Sequence, residues 1–107
     1  MDISSLMKQA QDFQQKMGQV QEELAKKTVT SEVGGGMVKV TVNGKQELLA
    51  IQIEKEVINP DDAGMLQDLI AAAVNDAMRK AREMIQSEMG QLTGGLKIPG
   101  LKIPGLM

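Results

Sequence analysis

Residues Gly34–Ile53 read GGGMVKVTVNGKQELLAIQI. Val38, Val40 and Val42 alternate with Lys39 and Thr41, and beyond Asn43-Gly44 the residues Leu49, Ile51 and Ile53 alternate again. Apolar side chains at every second position set one face of a strand on a core and leave the other to water. Asn-Gly between two such runs predicts a type I′ hairpin, because both central residues of that turn need positive φ. Upstream, the β-branched run 28–33 puts Val29, Ser31 and Val33 on one face, and Gly34–Gly36 supplies the turn out of it. The reading is a three-stranded antiparallel meander with strands at 28–33, 37–42 and 46–54.

A helix flanks the meander on each side. Ile3, Leu6, Ala10, Phe13, Met17, Val20 and Leu24 are spaced alternately by three and four residues, the a/d seam of a coiled-coil arm. Ser4 and Ser5 are the N-cap candidates for this helix, which is expected over residues 3–27. At 1.5 Å per residue it is roughly 37 Å long, too long for so small a sheet to cover, so part of it projects. On the far side, Asn59-Pro60-Asp61-Asp62 combines a capping side chain, a proline at the first helical position and two carboxylates at the positive end of the dipole. The helix that follows, expected over 60–89, carries Leu66, Ile70, Ala73, Ala77, Ala81 and Met89 at helical spacing. Its small side chains permit close approach to a sheet. After Gly90, the pentapeptide GLKIP occurs twice in succession. Proline and glycine at that density predict a flexible tail over 91–107.

The chain is therefore one α+β domain, residues 1–90, followed by a tail. Only about 28–90 can form a compact unit, and a unit that small buries only about 60% of its surface. A bare heptad seam and an Ala-rich helix both lack partners, which points to a homodimer.

Composition narrows the function. Cysteine and histidine are absent and Phe13 is the only aromatic residue. Thiolate chemistry, His-based acid–base catalysis and imidazole metal sites are thereby excluded. So are aromatic platforms for stacking unpaired bases. Gly44-Lys45 is followed by Gln46, so no phosphate loop of the G-x-x-x-x-G-K-[ST] type is present, and the glycine run leads into a strand instead of a helix. Asp61, Asp62 and Asp68 lack calcium-loop spacing. No cofactor, metal, small-molecule substrate or enzymatic activity is expected. With no basic leader, no apolar run of about 20 residues and no cysteine, the chain reads as cytoplasmic and without a membrane partner.

The net charge is −2, so an attraction for nucleic acid has to come from segregated cations. Lys8, Lys16, Lys26 and Lys27 lie on the first helix, and Arg79, Lys80 and Arg82 cluster on the second. Basic residues near a helix C-terminus also complement its dipole and are often simply solvated. In a dimer the same groups would be doubled on paired arms able to grip duplex phosphates.

The order helix–three strands–helix, with GGGMVKVTVNG and VINPDDAGMLQDLIAAAVNDAMRKA, resembles the YbaB/EbfC family of bacterial nucleoid-associated proteins over about residues 3–90. The resemblance implies a tweezers-like homodimer whose helical arms bind double-stranded DNA in the nucleoid with little sequence preference, in DNA organisation or gene regulation. It attributes DNA contact to the arms. By region and charge this assigns DNA binding to Lys8, Lys16, Lys26, Lys27, Arg79, Lys80 and Arg82. The competing reading is a chaperone-like or protein-interaction module whose coiled-coil arms grip a partner helix.

Overall fold

A computed structural model describes residues 2–94. Helix α1 spans Ile3–Lys26, strands β1, β2 and β3 span Thr28–Val33, Val38–Asn43 and Leu48–Ile53, and helix α2 spans Ala63–Gly94. Two short 3-10 turns, Lys55–Val57 and Pro60–Asp62, connect β3 to α2. The sheet order is β1-β2-β3, antiparallel throughout, as expected for a meander.

The alternation in β2 does what its pattern dictates. Val38, Val40 and Val42 are completely buried, and Ala73, Ala77 and Ala81 of α2, spaced four residues apart, are buried against them. Alanine on that ridge lets the helix axis come close to the sheet. Val29, Val33, Leu66, Leu69, Ile70, Val74 and Met78 surround the contact. The opposite sheet face is polar, with an ion pair between Lys39 and Glu32 at 3.5 Å and a hydroxyl hydrogen bond between Thr30 and Thr41 at 3.2 Å.

Helix α2 packs across β1 and β2. In β3, Ile53 and Ile51 pair with Val38 and Val40, and an irregularity after Thr41 shifts the partner of Val42 to Leu48. The apolar strip of β3 stays open: Leu49 is 53% exposed and Ile51 41%.

Three local expectations are corrected. Asp2, not Ser4 or Ser5, caps α1, its carboxylate accepting from the Ser4 amide at 3.4 Å. Asn59 does accept from the Asp61 amide at 3.0 Å, but Pro60–Asp62 form a 3-10 turn before α2 begins at Ala63. Gly90 does not stop α2, which runs on to Gly94. A glycine ends a helix by adopting the left-handed conformation, and positive φ among the described glycines is confined to Gly34, Gly35 and Gly36. Residues 91–94, expected in the tail, are thus helical, and the GLKIP repeat lies outside the described residues.

The hairpin after β2 also differs from expectation. Between residues 44 and 46 only Gln46 has positive φ, at 61°. Gln46 N–H donates to Asn43 O at 3.0 Å and Asn43 N–H to Glu47 O at 3.1 Å. This is a three-residue connection with a left-handed third residue, not a type I′ turn. Asn43 is buried, and its Oδ1 accepts from the amides of Lys45 (2.9 Å) and Glu47 (3.0 Å). Gly44 N–H donates to Leu24 O at 2.8 Å and to Lys27 O at 3.1 Å. The turn is shaped to hold the end of α1.

Candidate nucleic-acid interface

Helix α1 is an arm with a fixed root. Its 24 residues extend about 36 Å at 1.5 Å per residue, and the molecule measures 70 × 25 × 17 Å. Burial along the seam falls with distance from the body. Leu24 is buried, Val20, Met17 and Phe13 are half-buried, and Ala10, Leu6 and Ile3 are exposed, Ile3 by 73%. The root is closed by Leu24 under the hairpin turn. It is also tied by an ion pair between Lys27 and Glu88 of α2, which raises the Lys27 ammonium above its ordinary value chiefly through that hydrogen bond.

The cations proposed for DNA fall into two groups. Lys8, Lys16 and Lys26 are exposed on α1 and form no ion pair among the described residues. Arg82 is likewise exposed on α2 and unpaired in the same sense. The others are engaged. Arg79 donates to Asp76 and to Glu83, both at 2.7 Å. Lys80 donates to the Thr30 carbonyl at 3.3 Å and lies 3.6 Å from Asp76. Lys27 is held by Glu88. Arg79 and Lys80 are therefore largely neutralised on the body, and of the seven candidate cations the unpaired ones are Lys8, Lys16 and Lys26 on the arm and Arg82 on α2.

The centre of the neutralised group is Asp76. The fully buried Ser31 hydroxyl donates to Asp76 Oδ2 at 2.5 Å, and this bond, followed by that of Arg79, lowers the carboxyl from 3.8 to about 2. Its spacing to Arg79 (i,i+3) and Lys80 (i,i+4) is visible in the sequence. Ser31 has no such signal beyond its place on the inward face of β1. A carboxyl depressed by folding contributes stability above its unfolded value and loses it as pH falls through the folded one. Ser31→Ala is expected to bring the Asp76 carboxyl part of the way back. The wild type's advantage in urea midpoint should be full above pH 3.8 and disappear as pH falls to about 2. An advantage independent of pH across that window would show that Ser31 acts through packing alone.

Among the described residues, no group of three or more acidic side chains is placed to hold a metal ion, and no helix is long and apolar enough to cross a membrane. What the site offers is a projecting polar helix with lysines along it, suited to phosphate contact.

Residues 1–96 match the model of the YbaB/EbfC DNA-binding family. The chain belongs to that family. The resemblance seen in the glycine turn, the valine hairpin and the Ala-rich helix is borne out, as is the fold class. A nucleoid-associated protein of Desulfotalea psychrophila is 58% identical over 99 residues, covering 92% of this chain and 93% of that one. One of Pelotomaculum thermopropionicum is 55% identical over 98 residues, covering 92% and 93%. The crystal structure of an uncharacterized protein of Helicobacter pylori superposes with a TM-score of 0.80 at 29% identity, covering 88% of this chain and 99% of that one. Within this fold the Asp76 cluster ties α2 to β1 through the Ser31 hydroxyl and the Thr30 carbonyl.

Proposed function

We propose that the protein is a homodimeric, nucleoid-located DNA-binding protein that contacts duplex phosphates through Lys8, Lys16 and Lys26 of two projecting α1 arms, with Arg82 as a further contact near the body. The observation that supports this reading is that Lys8, Lys16 and Lys26 stand exposed along a projecting helix without an ion pair among the described residues, whereas Lys27, Arg79 and Lys80 are engaged by their neighbours. Lysine contacts to phosphate fix position without reading bases, so unrelated sequences bind alike.

Strand β3 supports the proposal of a second copy. Leu48, Leu49 and Ile51 of β3 are exposed apolar residues beside a core on which α2 packs chiefly over β1 and β2, and exposed apolar groups of this kind mark association surfaces. A twofold contact would double the arms from one patch. Leu49→Asp/Ile51→Asp is expected to give a monomer in sedimentation equilibrium, with the helical circular dichroism retained. A dimer that survives both substitutions would place the interface elsewhere.

Six arm lysines and two copies of Arg82 per dimer give a salt slope of about −7, so binding should weaken by about 10⁴-fold between 50 and 200 mM salt. Fluorescence anisotropy on two unrelated duplexes at those concentrations tests this. Similar affinities with that slope support the reading. Absence of binding at low salt by an intact dimer would favour the protein-interaction module, for which the bare residues Ile3 and Leu6 are the contact.

A further inference from the structure

We infer that the apolar seam of α1 is a docking surface for the chain's own GLKIPGLKIPGLM segment, residues 95–107. A coiled-coil seam normally meets a second helix, yet Ile3, Leu6 and Ala10 are exposed. Phe13, Met17 and Val20 are only partly covered. This goes beyond phosphate contact and does not depend on it, because the seam positions themselves carry no lysine. In the heptad set by the seam, Lys8 lies opposite it and Lys16 flanks it.

Position favours this occupant. Helix α2 runs outward past the root of α1, with Glu88 paired to Lys27 and the helix continuing to Gly94. Six further residues carry it about 9 Å beyond Glu88, alongside the arm. From there, thirteen residues span about 40 Å in an extended, proline-compatible conformation. The seam from Val20 to Ile3 is about 26 Å long. The segment therefore starts beside the seam and can follow it to the tip. Tethering also gives it a large effective concentration over any free partner.

Composition favours it too. Leu96, Ile98, Leu101, Ile103 and Leu106 supply apolar side chains. In an extended chain Leu96 and Ile98 share one side and Lys97 takes the other, and Leu101-Lys102-Ile103 repeats the arrangement. Pro99 and Pro104 restrict the unbound chain and reduce the entropy lost on docking. Residues 2–24 carry Lys8 and Lys16 against Asp2, Asp12, Glu22 and Glu23, a net −2, and the segment brings the two opposite charges of Lys97 and Lys102. A docked segment would cover the seam and at the same time make the arm more positive.

The absence of cysteine makes a distance measurement direct. Spin labels placed on the full chain at Ser5→Cys and Gly105→Cys, diluted about tenfold with unlabelled protein so that intrachain pairs dominate, should give one narrow distance below about 30 Å, since the docked segment ends near the arm's tip. Leu96→Ser/Ile98→Ser/Leu101→Ser/Ile103→Ser should broaden that distribution. It should also reduce amide-exchange protection over residues 3–17 by about tenfold or more while leaving Ala73–Ala81 unchanged. A broad distribution in the parent chain overturns the inference. So does a short distance that vanishes on dilution, which would assign the seam to a second copy's segment.

Discussion

Gly44→Ala is expected to be among the most damaging single-methyl additions in the described chain, costing on the order of 3 kcal/mol. An added Cβ would lie 2.5 Å from Leu24 O, 2.7 Å from Leu24 Cβ and 2.9 Å from Leu24 C. Two of those three atoms are backbone and the third is fixed to it, so no flexible side-chain end can move aside. The same amide donates to Leu24 O and Lys27 O, and separating the strands of this contact to admit the methyl would loosen both bonds. Leu24 would be released from its buried site, and the arm with it. In urea denaturation the midpoint should fall sharply, with exchange protection lost first over α1. Gly18→Ala is the control: nothing lies within 4 Å of its Cβ position, and an exposed mid-helix alanine should stabilise α1 by about 1 kcal/mol. A Gly44→Ala variant as stable as Gly18→Ala would mean that the turn does not clamp the arm.

This glycine shows what the sequence made legible and where it stopped. Asn43-Gly44 announces a turn, and a turn is there, but the residue with positive φ is Gln46. Glycine is required at 44 by the proximity of α1, a tertiary contact that no local pattern encodes. The element order was readable because valines at 38, 40 and 42 and alanines at 73, 77 and 81 carry periods of two and near four. Gly90 was misleading because tertiary packing overrides propensity: α2 continues where it lies against α1, and Glu88 on that stretch holds Lys27. The candidate cations were found by charge alone. Their division into free and engaged groups depends partly on spacing, since Asp76, Arg79, Lys80 and Glu83 sit three and four apart. It also depends on contacts across the fold, from Ser31 and Thr30, that only the structure reveals.

That division makes the largest functional prediction specific. Lys8→Ala/Lys16→Ala/Lys26→Ala removes the six phosphate partners proposed for each dimer and should flatten the salt slope by about five, with affinity near 0.1 M salt falling on the order of 10³-fold. The loss should be equal on unrelated duplexes, since contacts to phosphate carry no sequence information. Arg79→Ala/Lys80→Ala removes as many positive charges per protomer as any two of those lysines, yet the prediction for it is different. The guanidinium and ammonium are already committed to Asp76, Glu83 and the Thr30 carbonyl, so recruiting them to DNA would mean breaking those pairs first. The salt slope should change by less than about one, while the acid limb of the stability profile moves, because Arg79 helps to hold the Asp76 carboxyl near 2. Net charge is changed in the same direction by both variants, so a long-range field cannot distinguish them, but contact can. If both variants flattened the slope in proportion to charge removed, the arms would be acting as part of a diffuse field. If only the arm variant did, phosphate contact would be localised to α1, where an exposed helix with a clamped root can be rigid enough to hold it.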